Sequence, residues 1–305
     1  MKLILLGYTS FVGHALIDFY KKNRDVELVL VGRKGDHNSN YVHFEVDYEA
    51  NGFYDEISEV FQRICPDKNS VFFNLISHGS PDYCEQNPME SQLINVQFAC
   101  DIYRSLLAFK FGKLVHFSSN AVYSGNNSPY NEDSVCNPIN VYGQHKLEAD
   151  KFLLDQNDHR IIVARPITMY GNFPPGGRGN PVGMIIKELL AGREIRLVDD
   201  LVVNTLFVDD LCRFLDRLIA IDFHGLINIS GEQSMSRYEL GLCVAKALNL
   251  NNNLIKSCSM SEFPAIAARP LDTSFDTKLL NNITGLRARS LEEVLRTYDH
   301  KDFYE

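Results

Sequence analysis

A tyrosine and a lysine four residues apart have the clearest chemical potential in this sequence. Tyr142 and Lys146 follow Pro138, a good first residue for a helix, so both side chains are expected on one helical face. A free phenol has a pKa of about 10, too high for a base at neutral pH, and a neighbouring ammonium group lowers it. The pair is therefore predicted to exchange a proton with an alcohol or ketone oxygen, with Lys146 lowering the pKa of Tyr142.

A hydroxyl group could complete this site. Ser118-Ser119-Asn120 follows the apolar run Lys113–Phe117, which is predicted to be a buried parallel strand. Open parallel sheets bind ligands at the carboxyl ends of their strands, and a hydroxyl there can donate a hydrogen bond to a reacting carbonyl oxygen. These three elements in this order are more specific than the Tyr-x-x-x-Lys spacing, which chance produces in many helices.

The segment Gly7–Gly13 has the spacing of a dinucleotide-binding turn. It follows the apolar run Lys2–Leu6 and precedes a helix predicted over Ala15–Tyr20. Glycines in such a turn let backbone N–H groups approach a pyrophosphate at the N-terminus of the helix. Ser10 stands where the middle glycine is usual, so looser or displaced pyrophosphate binding is expected. A structural turn that binds no ligand is the alternative.

The end of the second strand indicates which nicotinamide cofactor fits. NAD sites place a carboxylate there for the ribose hydroxyls, whereas an arginine accommodates the 2′-phosphate of NADP. In this chain Arg33 and Lys34 occupy the position, and no carboxylate does. The sequence therefore predicts NADP(H) rather than NAD(H). Asp47, after the third apolar run, is either an adenine contact or an ordinary strand-end aspartate.

These sites require a parallel sheet with helices on both faces, and short β-rich runs do alternate with amphipathic segments. Strands are predicted at Lys2–Leu6, Glu27–Val31, Val42–Val46, Ser70–Leu75, Lys113–Phe117 and Arg160–Ala164. Asn87-Pro88-Met89-Glu90 predicts the start of a helix that runs to about Phe109. Ser236-x-x-Glu239 and Ser290-x-x-Glu293 predict two further helix starts.

The pattern changes after Arg165. A Gly- and Pro-rich stretch at 171–179 predicts an irregular loop, followed by a helix near 181–191 and short strands near 195–198 and 202–208. The predicted fold is α/β, a doubly wound parallel Rossmann sheet over 1–165 that also includes about 202–225. A smaller, partly discontinuous α/β substrate-binding domain is predicted over 166–305.

Composition restricts the partners. A net charge of −9 opposes general binding to nucleic acid or to anionic membranes. No apolar run approaches the length of a membrane span, and the N-terminal one is too short for a signal peptide, so a cytoplasmic protein is expected. The seven cysteines are scattered and form no Cys-x-x-Cys pair, so reduced thiols and no metal site are expected.

Several segments carry a family resemblance: GYTSFVG, DYCEQNP, VHFSSNAVYSG, PYNEDS, NPINVYGQHKLEAD, ARPITMYG, VNTLFVDDL and ARPLDTSFDTKLL. Through them nearly the whole chain resembles the extended short-chain dehydrogenases/reductases that modify nucleotide sugars. Within these it is most similar to the dTDP-4-dehydrorhamnose reductase group. Two positions depart from the family pattern, Ser10 and the pair Ile76-Ser77, where relatives have a small Ala-Ala pair.

The resemblance implies roles for individual residues. The implied catalytic residues are Ser119 (rather than Ser118), Tyr142, Lys146 and Asn95, which would hold a water near the lysine. The implied cofactor contacts are Gly7, Thr9, Ser10, Phe11, Val12, Gly13, Arg33, Lys34, Asp47, Leu75, Ile76, Ser77, Tyr142, Lys146 and Arg165. The implied substrate contacts are His78, Ser119, Asn120, Arg178 and Arg269. His78 could instead be a packed loop histidine.

The resemblance also implies the reaction. An NADPH-dependent reductase of deoxysugar or polysaccharide biosynthesis would deliver hydride to the C4 ketone of a nucleotide-diphosphate sugar, with the proton from Tyr142. A 4-epimerase or dehydratase is one alternative, although Arg33 disfavours an NAD-dependent epimerase and Asn120-Ala121 lacks the acidic pair of a dehydratase. A non-catalytic, cofactor-binding regulatory subunit is another. A homodimer through paired helices, including the one with Tyr142, is expected.

Overall fold

The computed structural model describes residues 1–22, 25–33, 40–48, 52–172 and 180–303. The strands are β1 Lys2–Leu6, β2 Glu27–Arg33, β3 Val42–Val46, β4 Ser70–Asn74, β5 Lys113–Phe117, β6 Ile161–Pro166, β7 Met169–Tyr170, β8 Ile195–Val198, β9 Val202–Val203, β10 Leu206–Phe207, β11 Gly225–Ile229, β12 Met235–Ser236 and β13 Ile255–Cys258. The α-helices are α1 Phe11–Tyr20, α2 Phe53–Ile64, α3 Pro81–Gln86, α4 Pro88–Gln92, α5 Phe98–Leu106, α6 Val141–Asp155, α7 Pro181–Leu190, α8 Val208–Ala220, α9 Arg237–Ala247, α10 Lys278–Thr284 and α11 Leu291–Thr297.

A seven-stranded parallel sheet in the order β3-β2-β1-β4-β5-β6-β11 forms the centre of the molecule. Every residue of β4, β5 and β6 is buried, because helices cover both faces of these central strands. The strand order reverses between β1 and β4, and ligands bind at such switch points in open α/β sheets. The predicted doubly wound Rossmann sheet is confirmed.

The six predicted strands are present, with ends that differ by at most two residues. The seventh, β11, was not predicted as a strand. Its sequence GLINI contains Asn228, which is buried and shares hydrogen bonds with the hydroxyl of Tyr123. A buried polar residue in a five-residue run hides the apolar pattern from which strands are predicted.

The helix predicted from Asn87 to about Phe109 runs without a break from Pro88 to Leu106, but it is not α-helical throughout. It consists of α4, a π-helical segment over Leu93–Gln97, and α5. A π-helical turn shifts the residues that follow it around the helix axis, and such turns are frequent at functional sites. Here the turn contains the buried Asn95, so this departure from a regular helix lies at a predicted catalytic residue.

The C-terminal half contributes to two parts of the molecule. Helices α7, α9 and α11 pack around a separate apolar core that contains Val182, Ile186, Leu240, Val244 and Val294. Between these segments the chain returns to the central sheet, where α8 packs on α1 and β11 pairs with β6. The loop predicted at 171–179 lies mostly outside the described residues. The domain boundaries stay a prediction.

Candidate active site

A cavity of about 630 Å³ lies at the carboxyl ends of β4, β5 and β6. Its lining comes from the dinucleotide turn, from α6 and from the C-terminal half of the chain. The predicted site residues that line it are Ser10, Phe11, Val12, Leu75, Ser77, Ser119, Asn120, Tyr142, Lys146 and Arg269. The fold thus brings the three core catalytic candidates and half of the predicted ligand contacts to one space.

Close backbone packing positions Tyr142 beside Ser119. Asn140 caps α6, with its side-chain oxygen accepting a hydrogen bond from the N–H of Gly143 at 2.8 Å. A Cβ on Gly143 would lie 2.1 Å from the carbonyl oxygen of Ala121, so only glycine allows this approach. Because Ser119 caps the short 3₁₀ turn that contains Ala121, the glycine contact holds the hydroxyl and the phenol at a fixed separation.

Burial alters the ionisation of both members of the Tyr142–Lys146 pair. Burial raises the pKa of Tyr142, and the hydroxyls of Ser119 and Ser77 oppose this only in part. Burial also lowers the pKa of Lys146 to about 8, although the carboxylate of Asp150 works against it. Desolvation, which a linear sequence does not reveal, is the largest influence on the pKa of this phenol. The expectation that Lys146, together with a nicotinamide cation, lowers the pKa of Tyr142 stays a prediction.

Lys146 is almost completely buried, and its ammonium group donates a short hydrogen bond to the carbonyl oxygen of Phe117. That carbonyl belongs to the last residue of β5. The bond therefore ties α6 to the sheet and holds the ammonium group at the floor of the cavity.

Two adjacent serines have different partners. The hydroxyl of Ser118 donates to Asp150 at 2.8 Å in the protein interior. Both serines line the cavity, but the Ser118 hydroxyl is committed to Asp150, and the choice of Ser119 over Ser118 stays a prediction. The Asp150 carboxylate also pairs with Arg165 at 2.9 Å, and the guanidinium of Arg165 donates to Tyr123. Arg165 does not line the cavity. Its partners Asp150 and Tyr123 are both buried in the protein interior.

Asn95 joins the loop after β4 to the π-helical segment. Its side-chain oxygen accepts hydrogen bonds from the Ser77 hydroxyl at 2.8 Å and from the N–H of His78 at 3.1 Å. Its amide donates to the Ser91 hydroxyl at 3.1 Å. Since protein groups satisfy this side chain, the structure supports a positioning role, and the predicted contact with water stays a prediction.

The dinucleotide turn has the shape that a pyrophosphate needs. Gly7 adopts φ +82°, a left-handed conformation that favours glycine. A Cβ on Gly13 would lie 2.2 Å from the carbonyl oxygen of Tyr8, so side chains are excluded where the backbone turns. Ser10, in place of the middle glycine, caps α1 by accepting a hydrogen bond from Gly13 at 3.1 Å. The substitution thus stabilises the helix start, and Thr9 beside it is exposed.

Other predicted cofactor contacts lie outside the cavity lining. Arg33 is exposed at the end of β2, and Asp47 follows β3. Ile76 lies close to Gly7, and its N–H donates to the side chain of Asn74. The predicted contacts Lys34 and Arg178 lie outside the described residues.

The predicted substrate residues have protein partners. His78 does not line the cavity: its ring stacks on Tyr83 and its Nε2 lies 2.9 Å from Glu90, which matches the packed-loop alternative. Arg269 lines the cavity and forms an ion pair with Asp82 at 2.8 Å.

Asn120 connects two distant segments at the cavity wall. Its amide donates to the hydroxyl of Thr273 at 2.6 Å, and both residues line the cavity. The segment after Arg269, singled out by the family resemblance, thereby closes one side of the site.

Arg237 is a charged cavity residue that the sequence did not predict. Arg237, the first residue of α9, lines the cavity with a buried Nη1 that has no hydrogen-bond partner. The Ser236-x-x-Glu239 pattern located the start of this helix, and the capping box is present. Sequence alone did not show that the helix start faces the site.

In the described ranges, no three His, Cys, Asp or Glu residues are placed to hold a metal, and none of the helices combines the length and the apolar composition of a membrane span.

Comparisons with known proteins agree with the fold. The family described as "RmlD substrate binding domain" matches residues 1–301. Methionine adenosyltransferase 2 subunit beta of Bos taurus is 25% identical over 219 residues, which is 70% of this chain and 64% of that protein. The dTDP-4-dehydrorhamnose reductase of Aggregatibacter actinomycetemcomitans is 22% identical over 78% of this chain and 83% of its own length. A crystal structure of the Bacillus anthracis dTDP-4-dehydrorhamnose reductase in complex with NADP has a TM-score of 0.78, at 23% identity and 97% coverage of both chains.

Proposed function

This chain belongs to the RmlD substrate-binding-domain family, and on that basis we propose that it is an NADPH-dependent reductase of the 4-keto group of a nucleotide-linked deoxysugar. The observation that carries the proposal is the arrangement of Ser119, Tyr142 and Lys146 around one cavity that the dinucleotide turn also lines. The similarity to a curated dTDP-4-dehydrorhamnose reductase supports the choice of reaction.

The turn after β1 fits the diphosphate of a dinucleotide, since Gly7 and Gly13 clear the space that side chains would fill. The N-terminus of α1 would hold that diphosphate, and Arg33 would contact the 2′-phosphate. When bound, NADPH supplies the hydride that reduces the substrate carbon. The NADP in the related Bacillus anthracis structure supports this assignment.

The ionisation of the site suits reduction. A raised pKa keeps Tyr142 protonated at neutral pH, so its hydroxyl can donate a proton to the ketone oxygen as the carbonyl carbon is reduced. Ser119 would donate a hydrogen bond to the same oxygen and stabilise the developing alkoxide. The phenolate left on Tyr142 then regains a proton from solvent, which returns the site to its starting state.

The direct test is NADPH consumption by the purified protein with a panel of nucleotide-linked 4-keto sugars. We expect one of them to cause stoichiometric loss of NADPH absorbance. Conversion of a hydroxy sugar into its 4-epimer without net NADPH loss would replace the reductase by the epimerase alternative.

A second candidate follows from the similarity to methionine adenosyltransferase 2 subunit beta. This chain spans 64% of that relative's length, and in this case it would bind cofactor and regulate a catalytic partner. Size-exclusion chromatography with a methionine adenosyltransferase catalytic subunit tests it. A stable complex, together with NADPH binding and no turnover of any sugar in the panel, would favour this candidate.

The sequence-based expectations of a cytoplasmic location and a homodimer stay part of the proposal. The outward face of α6 carries Gln144, Glu148, Lys151 and Asp155, all exposed. A dimer formed through that helix would therefore have a polar interface.

A further inference from the structure

Arg237 is a partly buried cation without a partner in the described part of the chain. Its Nη1 is buried, and none of the described residues gives the side chain a hydrogen bond or an ion pair. Two other arginines with little exposed side chain form ion pairs with a carboxylate: Arg165 lies 2.9 Å from Asp150, and Arg289 lies 2.9 Å from Asp210. The missing carboxylate sets Arg237 apart from both.

Two effects make this arrangement unfavourable for the free protein. A buried charge with no counter-ion loses its hydration without compensation. Burial lowers the pKa of Arg237 to about 10, so the group still carries its charge at neutral pH. Arg237 is also the first residue of α9, where the helix dipole favours an anion and disfavours a cation. An anionic ligand would reverse both effects.

The position of Arg237 indicates where that anion would bind. The antiparallel pair β9–β12 places Met235 opposite Val203, and Arg237 follows directly after β12. Val203, Arg237 and Met169 all line the cavity that contains Tyr142. These residues belong to the C-terminal half, whereas the dinucleotide turn is built from the first strand and helix. The anion is therefore expected on the substrate and not on the cofactor.

Arg269, the arginine predicted to contact substrate, is a weaker candidate in this structure. Its guanidinium is already paired with Asp82 at 2.8 Å, and the Asp82 carboxylate also accepts hydrogen bonds from the backbone of Ile266 and Ala267. Binding of the substrate anion by Arg269 would require these interactions of Asp82 to rearrange. Arg237 has no hydrogen bond to a described residue that the anion would have to replace.

We infer that Arg237 binds the diphosphate of the nucleotide-linked substrate. This inference rests on the proposed function, and it assigns the binding of the substrate diphosphate to one residue. A diphosphate oxygen would accept a charge-assisted hydrogen bond from the guanidinium at the start of α9. Removal of the guanidinium should therefore weaken substrate binding and, unlike the loss of an ordinary structural arginine, should stabilise the free protein.

Isothermal titration calorimetry with dTDP, UDP, their parent nucleosides and NADPH tests the inference on the full chain. Arg237→Met is compared with Arg193→Met, which removes the same charge from an exposed ion pair with Glu188 away from the cavity. For Arg237→Met we expect the Kd of the preferred nucleoside diphosphate to rise ~10–100-fold. The Kd of NADPH should stay within about twofold, and the Tm should rise by about 2–4 °C.

The outcomes separate the inference from the proposed function. If the wild-type protein binds dTDP or UDP and Arg237→Met binds it equally well, the assignment of Arg237 is overturned and the reductase proposal stands. If Arg237→Met loses affinity for NADPH instead, the anion that Arg237 binds belongs to the cofactor, and the assignment of Arg237 to the substrate also fails. If the wild-type protein binds neither nucleoside diphosphate, both proposals are overturned.

Discussion

At the scale of single residues, burial holds Tyr142 in its protonated form, because desolvation raises the pKa of the phenol. A protonated phenol is the state that the proposed proton donor needs before the carbonyl carbon is reduced. The proposal therefore makes a direct prediction about the hydroxyl of this residue.

Replacement of Tyr142 by Phe removes the proton donor and keeps the ring. We expect kcat/KM for the preferred 4-keto sugar to fall ~10²–10⁴-fold, as is typical for loss of general acid catalysis. The Kd of NADPH should stay nearly unchanged in fluorescence titration. Tyr103→Phe is the matched control, since its hydroxyl contacts Asp158 at 3.2 Å outside the cavity. Full activity in the Tyr142 variant would exclude the proposed proton donor.

Lys146 should make stability depend on pH. Its pKa is about 8 in the folded protein and 10.5 when exposed, so between these values only the unfolded chain holds the proton. The contribution of Lys146 to stability should then rise by on the order of 3 kcal/mol between about pH 8 and about pH 10.5, while buried thiols with raised pKa values, such as Cys84 and Cys100, act in the opposite direction. Below pH 8 both states are charged, and the folded state bears the full burial penalty.

Urea unfolding at several pH values measures this effect. Lys146→Met should remove the rise in stability between pH 8 and pH 10.5, whereas Lys151→Met, an exposed lysine on the same helix, should keep it. An unchanged rise in the Lys146 variant would show that another group titrates there.

At the scale of elements, the contact between α6 and the turn Asn120–Val122 sets the geometry of the site. Gly143→Ala would place a methyl group 2.1 Å from the carbonyl oxygen of Ala121, and the backbones must separate. We expect a loss of about 1–3 kcal/mol in the free energy of unfolding and a drop in kcat larger than the change in the Kd of NADPH. Gly52→Ala, which meets no atom within 4 Å, is the control. Equal kcat in both variants would show that the close approach is not needed.

The sequence predicted the elements better than the contacts between them. Apolar runs located six strands, and the Ser236 capping pattern located α9, because both signals are local. The π-helical segment and the burial of Arg237 depend on residues far away in the chain. The burial that raises the pKa of Tyr142 likewise depends on the surrounding fold and has no local signal.

At the scale of the whole molecule, Asn204 joins separate parts of the C-terminal half. Its amide donates to Ser230 and to the carbonyl oxygens of Gly231 and Phe275, and its side-chain oxygen accepts from the N–H of Phe275. Asn204 is almost completely buried, so a variant would leave several polar groups without a partner.

We expect Asn204→Ala to lower the free energy of unfolding by about 2–4 kcal/mol and to raise KM for the sugar substrate more than KM for NADPH. Urea unfolding and steady-state kinetics measure the two effects. Asn282→Ala, an exposed asparagine within α10, provides the comparison. If both variants unfold at the same urea concentration, Asn204 does not join these segments energetically.

The path of the chain through the sheet limits how such proteins can diversify. The chain leaves the sheet after β6, builds half of the smaller core, returns to supply α8 and β11, and leaves again to complete that core. Recombination between relatives would therefore need three crossover points to exchange the smaller core, and a single crossover after β6 would split the sheet from its own edge strand. A gene fragment that ended after β6 would encode an unprotected sheet edge that is buried in the whole protein, which favours aggregation over independent folding.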